Sequence, residues 1–497
     1  RLSMALTYIL FQVAVALLAI LTYYIHRKLT YFKRRGIPFV APHLIRGNME
    51  ELQKTKNIHE IFQDHYNKFR ESKAPFVGFF FFQSPAAFVI DLELAKQILI
   101  KDFSNFSNKG IFYNEKDDPI SAHLFNLDGA QWRLLRNKLS STFTSGKMKL
   151  MYPTVVSVAN EFMTVMHEKV PKNSVLEIRD LVARFTVDVI GTCAFGIQCN
   201  SLRDEKAEFL YFGKRSLVDK RHGTLLNGFM RSYPKLARKL GMVRTAPHIQ
   251  EFYSRIVTET VAVREKEHIK RNDFMDMLIE LKNQKEMTLE NGDVVRGLTM
   301  EEVLAQAFVF FIAGFETSSS TMGFALYELA KNPDIEQHDQ NFTYECTKDL
   351  KYLNQVLDET LRLYTIVPNL DRMAAKRYVV PGHPNFVIEA GQSVIIPSSA
   401  IHHDPSIYPE PFEFRPERFS PEESAGRPSV AWLPFGDGPR NCIGLRFGQM
   451  QARIGLALLI RNFKFSTCSK TPNPLVYDPK SFVLGVKDGI YLKVETV

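Results

Sequence analysis

Phe435-Gly-Asp-Gly-Pro-Arg440-Asn-Cys442-Ile-Gly444 decides how this chain is read. Cys442 closes a Gly/Pro loop, and a helical pattern follows from Ile443 to Arg461, with apolar residues at Leu445, Met450, Ile454, Leu456, Leu458 and Leu459. A thiol just before a helix start meets unpaired backbone N–H groups and the positive end of the helix dipole, and both favour a thiolate. Gly436, Gly438 and Pro439 allow a tight backbone close to a flat partner, and Arg440 can pair with an anionic group on that partner. A lone cysteine is more often an inert core thiol. The residues around this one describe instead a thiolate ligand for haem iron, in which the axial sulfur pushes electron density toward the metal.

A second stretch upstream fits the same chemistry. Thr299-x-x-Glu302 is a capping box that opens a long helix running to about Lys331, where Asn332-Pro333 stops it. At ~1.5 Å per residue such a helix is roughly 48 Å long, enough to cross a domain. Its middle reads Phe310-Phe-Ile-Ala313-Gly314-Phe-Glu316-Thr317-Ser-Ser. A glycine, an acid and hydroxyls at the centre of an apolar helix break the local rule, and such breaks mark function. Ala313 and Gly314 remove bulk so that a flat ring can approach. Thr317 can hydrogen-bond its own helix, widening it, and can hold a water or dioxygen. Glu316 can relay protons.

At the other end of the chain, Met4 to Ile25 is almost wholly apolar and long enough to span a bilayer. Arg27, Lys28, Lys33, Arg34 and Arg35 follow it and only Arg1 precedes it, which orients the remainder to the cytoplasm. Met4 reads as the natural start. Three regions result: an anchor over 1–25, a basic and proline-containing linker over 26–45, and a catalytic domain over 46–497. Phe76–Phe82 and Ala87–Asp91 read as strands, and Leu94–Asp102 as a helix. Phe103–Gly129 is a long polar loop, of a length that is usually functional. Met148 to about Ile279 reads as amphipathic helices. Lys348–Tyr364 is another helix. Hairpins are expected over Phe386–Pro397, turning at Glu389-Ala-Gly391, and over Phe482–Val494, turning at Lys487-Asp-Gly489.

The five cysteines show neither a C-x-x-C zinc pattern nor a secreted disulfide count. A formal charge of +9 is compatible with a solvated surface, anionic lipid or an acidic redox partner, and nothing reads as a nucleic-acid module. With 39 phenylalanines the chain can line a large apolar cavity.

The loop resembles the haem-binding signature of cytochrome P450 enzymes, Phe-x-x-Gly-x-Arg-x-Cys-x-Gly, at Phe435, Gly438, Arg440, Cys442 and Gly444. Ala313-Gly314-Phe-Glu316-Thr317 resembles the family's oxygen-activation motif, in which the acid and the threonine deliver protons. Trp132-x-x-x-Arg136 resembles the pair that donates to a haem propionate, and Arg372 a further propionate partner. An arbitrary Glu-x-x-Arg is a surface pair contributing under ~1 kcal/mol. Glu359-x-x-Arg362 here resembles the family's buried pair, completed by Arg418 from Phe414-Arg-Pro-Glu-Arg418-Phe419, a structural triad behind the cysteine loop. The nearest likeness is to insect microsomal enzymes of family 6, carried by Leu127-Asp-Gly, Asp188-Val-Ile-Gly-Thr-Cys193-Ala-Phe-Gly196 and Trp432-Leu-Pro-Phe.

The resemblance implies a mainly α cytochrome P450 fold with a small β domain, preceded by one transmembrane helix. It implies haem b (iron protoporphyrin IX) on Cys442, in contact with Ala313, Gly314 and Phe435. Its propionates would be held by Trp132, Arg136, Arg372 and Arg440. It implies a lipophilic substrate among Phe308, Phe311, Ile312, Val367 and Leu484, and electrons from NADPH through NADPH–cytochrome P450 reductase, with cytochrome b5 as a second donor. The location implied is the endoplasmic reticulum membrane. A same-fold isomerase or lyase would not need Glu316 and Thr317. The segment around Ile335–Phe342 is shorter than the family's pattern by about a dozen residues, which admits a haem-binding but inactive variant. Thr365, where many relatives have proline, is expected to matter little.

Overall fold

The computed structural model describes residues 2–285, 287–288, 294–333, 350–481 and 483–497. Its organising element is helix Met300–Lys331, the central helix, and the capping box forms as its sequence predicts: the Glu302 N–H donates to Thr299 Oγ1 at 3.2 Å and the Thr299 N–H to Glu302 Oε2 at 2.8 Å. This helix and Leu2–Leu29 are both long and apolar enough to cross a membrane. Burial separates them. The central helix is packed on all sides from Ser318 to Glu328, whereas the side chains from Met4 to Tyr24 are exposed. The first is a core helix and the second is compatible with a membrane anchor.

Helices Ile178–Ile190, Pro247–Glu267, Lys351–Leu363 and Leu445–Asn462 are among those that pack on the central one. They enclose the larger hydrophobic core. A second core lies under a four-stranded sheet, where Phe62, Phe76, Phe79, Phe80 and Phe88 are fully buried. In that sheet Phe76–Phe81 pairs antiparallel with Ser84–Val89. The latter runs parallel to Ser393–Ile396, which is antiparallel to Leu370–Met373. The sheet therefore delivers Arg372 to the interior from an edge strand on which it is the buried residue.

Among the described residues, neither expected hairpin forms. Val387–Ile388 pairs with Tyr378–Val379, while Ser393–Ile396 enters the four-stranded sheet. Gly391 (φ +77) turns the chain between two different sheets. Tyr491–Thr496 likewise pairs with Phe463–Ser466 and Val175–Glu177. Local alternation identifies a strand but carries no information about its partner. The helix expected over Leu94–Asp102 is Leu92–Lys96, continued by a wider turn over Gln97–Lys101. The shortened segment at Ile335–Phe342 lies outside the described residues.

Candidate haem-thiolate site

The cysteine loop is tied at both ends. The Cys442 N–H donates to the Phe435 carbonyl at 2.8 Å and the Gly436 N–H to the Leu433 carbonyl at 3.0 Å. Gly436 and Gly438 have φ of +69° and +72°, and a Cβ on Gly438 would meet the Leu99 carbonyl oxygen at 1.9 Å. The chain can pass Leu99 only as glycine. From helix Gly129–Ser140, Arg136 donates to the Asn441 carbonyl and to Asn441 Oδ1, both at 2.9 Å. The Cys442 side chain is exposed, yet it lies deep among protein atoms. An exposed side chain so placed opens onto interior space. Burial pushes its thiol up, opposed by the Gly444 N–H and by the Arg136 and Lys109 charges. The helix that follows starts only at Leu445, so its dipole does not by itself make the thiolate, which needs a cation at the sulfur.

Beside the loop is a cluster of buried cations. Arg372 is 1% exposed; its Nη1 donates to the Asp371 carbonyl at 2.9 Å, while Nε and Nη2 have no partner. Burial, then the neighbouring Arg440 charge, holds its guanidinium down to about 10. Arg440 stacks 4.6 Å over the Trp132 ring. Its terminal nitrogens donate to the Ser107, Phe125 and Leu127 carbonyls and to Asp128, leaving a buried Nε without a partner. Lys109 adds a third cation, 3.2 Å from the Phe125 ring centre. Burial, then Arg440 and Arg372, pulls its ammonium well down. Positive charge with orphaned donors in the interior is costly unless an anion meets it.

On the central helix Ala313 is exposed although Phe311, Phe315 and Ser318 around it are buried. A residue exposed midway along a core helix opens onto interior space. Gly314 is small for a different reason: a Cβ there would lie 2.5 Å from Ile190 Cδ1, so its Cβ side is taken by a packed helix rather than by a flat ring. Thr317 Oγ1 donates to the Ala313 carbonyl at 2.6 Å, and the helix stays α throughout, without the widening expected. Gln451, from the helix after Cys442, donates to the Gly314 carbonyl at 2.9 Å and to Ser318, joining the two motif-bearing helices.

The Cytochrome P450 family model matches residues 37–493. The chain belongs to the cytochrome P450 family. It is 98% identical to "Cytochrome P450 6a8" of Drosophila melanogaster, over 99% of this chain and 100% of that relative. It is 78% identical to "Probable cytochrome P450 6a18" of the same species, again over 99% and 100%. To "Cytochrome P450 6A1" of Musca domestica it is 48% identical over 96% and 95%. The first alignment spans 506 positions against 497 residues here, so at least nine positions of that relative have no counterpart in this chain. The protein is a P450 monooxygenase, and the family implies haem. The residues fit that group: a soft sulfur ligand for iron, and orphaned donors on Arg372 and Arg440 that suit carboxylates.

The remaining P450 motif is brought together behind the loop. Glu359, Arg362 and Arg418 are at most 1% exposed. Arg362 holds both Glu359 oxygens, at 2.6 and 2.9 Å, and Arg418 Nε lies 3.3 Å from Oε1. Sequence reading missed three further residues. Asp128 accepts from the Lys109 and Gly110 N–H groups and from Arg440, and so closes the long loop over the cation cluster. His402 accepts the Leu433 N–H at Nε2 (2.7 Å) and meets Thr365 Oγ1 at Nδ1 (2.6 Å). Its proton therefore sits on Nδ1, and Thr365 links the triad helix to the cysteine loop, more than the minor departure expected of it. The third is Arg179, which pairs with Glu316 at 3.1 Å. Of the candidate substrate residues, Phe308, Ile312 and Val367 are half-buried. Phe311 and Leu484 are core, Phe311 packing on Phe209 and Tyr253.

Proposed function

We propose that this P450 hydroxylates or epoxidises lipophilic compounds, xenobiotic, fatty-acid or hormonal, with electrons from NADPH delivered by NADPH–cytochrome P450 reductase and with cytochrome b5 as a second donor. The observation that carries it is Cys442: an exposed thiol set deep among protein atoms, in a loop pinned by Phe435 and, through Asn441, by Arg136. When bound, haem b supplies the activation of dioxygen.

The chain's own residues have separate tasks. Cys442 provides the anionic ligand. Arg372, Lys109 and Arg440, whose Nε has no partner, would hold the propionates, with Arg136 and Trp132 bracing the same wall. Ala313 keeps the cavity side of the central helix open. Thr317 can turn its hydroxyl from the Ala313 carbonyl toward the cavity and hand on a proton from Glu316. Phe308, Ile312 and Val367 offer apolar surface to substrate. Residues 1–25 anchor the domain 46–497 through the linker 26–45 to the cytosolic face of the endoplasmic reticulum. The exposed Leu225, Leu226, Leu236 and Leu240 support a membrane-facing side.

The positions absent relative to the 6a8 protein favour a second reading, a haem-binding but inactive variant. One experiment separates the two. Purified protein that shows the thiolate position in its reduced, CO-bound spectrum is supplied with reductase, NADPH, a panel of lipophilic compounds and ¹⁸O₂. One labelled oxygen in a product supports the first reading. Tight haem with no NADPH consumption supports the second.

A further inference from the structure

A cavity of about 650 Å³ opens to solvent between helices Ile178–Ile190 and Glu208–Val218, the segment carrying Arg46 and Lys54, and the segment carrying Asp478 and Lys480. Its volume suits a small-molecule site. Leu52, Leu217, Val218 and Val486 give it an apolar wall, and its charged lining is six cations against four acids. The acids are engaged. Glu177 accepts from the N–H groups of Arg179, Asp180 and Ile490, and Asp180 pairs with Arg184 and Lys214. Glu316 pairs with Arg179 at 3.1 Å, and Asp478 Oδ1 accepts the Lys480 N–H at 2.9 Å. Four cations remain. Among the described residues, Arg46, Lys54, Lys220 and Lys480 make no ion pair, and the three lysines are exposed. Burial, then the Arg244 charge, pulls the Lys220 ammonium down, opposed by Asp478. Like charges gathered at one opening repel one another, and an anion placed among them relieves this.

The rim joins these cations to exposed apolar side chains. Arg46 directly follows the exposed Leu44 and Ile45, and Thr224, also on the lining, directly precedes the exposed Leu225 and Leu226. Thr224 Oγ1 donates to Gln53 Oε1 at 3.1 Å, which ties the two segments together beside Lys54. From there helix Thr224–Ser232 runs nine residues, roughly 13 Å, to Tyr233. The Tyr233 hydroxyl accepts from Lys28 Nζ at 3.1 Å, and Lys28 lies in the last turn of Leu2–Leu29. One short helix therefore separates the cavity mouth from the end of the apolar N-terminal helix. A helix that rests its apolar side chains in a bilayer interface lies along the surface. With Leu225 and Leu226 so placed, the mouth sits at the level of the lipid headgroups.

We propose that this cavity binds one anionic phospholipid of the surrounding membrane, its phosphate held by Arg46, Lys54, Lys220 and Lys480 and its glycerol and upper chain carbons lying on Leu52, Leu217 and Val218. The proposal rests on the reading of residues 1–25 as a membrane anchor. Charge and shape select the ligand together. A zwitterionic headgroup brings its own cation and leaves the four basic residues without net compensation. A bare phosphate satisfies the charge but leaves the apolar wall and the exposed leucines of the rim uncovered. A lipid with a net negative headgroup meets both.

The test uses the full-length, haem-loaded protein and the triple variant Lys54→Gln, Lys220→Gln, Lys480→Gln. The first readout is the affinity for phosphatidylglycerol and for phosphatidylcholine in detergent micelles, by mass spectrometry of the retained lipid. The wild type is expected to retain phosphatidylglycerol in preference. A basic residue at a lipid surface is worth about fivefold in affinity, so the triple variant should lose roughly a hundredfold. Its CO-bound spectrum and unfolding midpoint should stay unchanged. The second readout needs no variant: the rate of lysine acetylation in nanodiscs of phosphatidylcholine alone or mixed with phosphatidylglycerol. Lys54, Lys220 and Lys480 should slow in the mixed discs more than Lys235 and Lys239, which are exposed on the next helix, Pro234–Lys239. Equal slowing of all five means a diffuse surface potential and overturns the site, as does unchanged retention in the triple variant. Equal protection by inorganic phosphate in phosphatidylcholine discs overturns the lipid and leaves a simple anion site. Protein that stays outside the discs yet retains phosphatidylglycerol in detergent supports the site and overturns only the anchor.

Discussion

Arg136 reaches two oxygens of a single residue, the carbonyl and the Oδ1 of Asn441, each at 2.9 Å. Asn441 is the neighbour of Cys442, so one guanidinium on helix Gly129–Ser140 sets the approach of the sulfur. The planar fork is what makes the double contact, and lysine lacks it. Arg136→Lys is expected to weaken the brace by about 1.5–3 kcal/mol, the range for hydrogen bonds to a charged group. A fraction of the reduced, CO-bound band should move from the thiolate to the neutral-ligand position. An unchanged spectrum in Arg136→Lys would show that Asn441 needs no fork.

Arg372 makes haem affinity and apoprotein stability move in opposite directions. With Nε and Nη2 buried and unpartnered, its charge is a burden to the chain alone. Arg372→Met removes about 1–3 kcal/mol of desolvation penalty and also an anion partner. The apoprotein should unfold at higher denaturant, and the holoprotein should release haem faster to an apomyoglobin trap. A variant that is worse on both measures would mean that Arg372 is chiefly a packing residue.

What could be seen in the sequence was what lies within one turn or loop. The Phe435–Gly444 loop, Trp132 with Arg136, the capping box at Thr299 and the pair Glu359 and Arg362 are short-range patterns, and each sits where its spacing places it. Hidden were contacts between distant segments. Arg179 meets Glu316 across 137 positions and Arg136 meets Asn441 across 305. His402 and Asp128 look like loop residues until the fold turns them inward. Ser320 and Gly323 are small residues in an apolar helix, but nothing local says that the Arg179 side chain lies against them. The failed hairpins share this cause, since each strand's alternation was right and its partner lay in another segment.

Buried histidines make stability fall in mild acid. Burial holds His59 down to about 3 and His403 to about 4, and holds His402 well below its ordinary range. His402 and His403 also lie against the cation Arg362, which opposes their protonation. The unfolded chain takes up these protons near pH 6.5 and the folded chain only near 4 or lower. Between those limits the unfolded state binds more protons, so stability is present above about 6.5 and is lost as the pH falls toward 4. Each such histidine contributes about 1.4 kcal/mol per pH unit within the window. The urea midpoint should drop steeply from pH 6.5 to 5.5 and be nearly flat from 8 to 7. His59→Gln should soften the drop. A midpoint equal at 5.5 and 7 would mean that these side chains are hydrated in the folded protein.

The glycines of the signature should differ in what they tolerate. Gly438 has φ +72°, and an added Cβ would sit 1.9 Å from the Leu99 carbonyl oxygen and 2.9 Å from its carbon. Both are backbone atoms in the turn after Leu92–Lys96 and cannot swing aside as a side chain can. Gly436 is also left-handed, at +69°, but its Cβ would make ordinary contact with Leu370. Gly444 has φ −86°, and its Cβ would meet no protein atom within 4 Å. Gly438→Ala should therefore cost about 3 kcal/mol or more from strain and collision together, and Gly436→Ala about 1 kcal/mol from strain alone. Gly444→Ala should leave the apoprotein's stability unchanged. The measurement is the unfolding midpoint of each apoprotein beside its haem content. Because Gly444 faces open space and is free of strain, any haem lost in Gly444→Ala at an unchanged midpoint reports close approach of the cofactor. Haem lost in Gly438→Ala should come with a lowered midpoint, because there the loop itself fails.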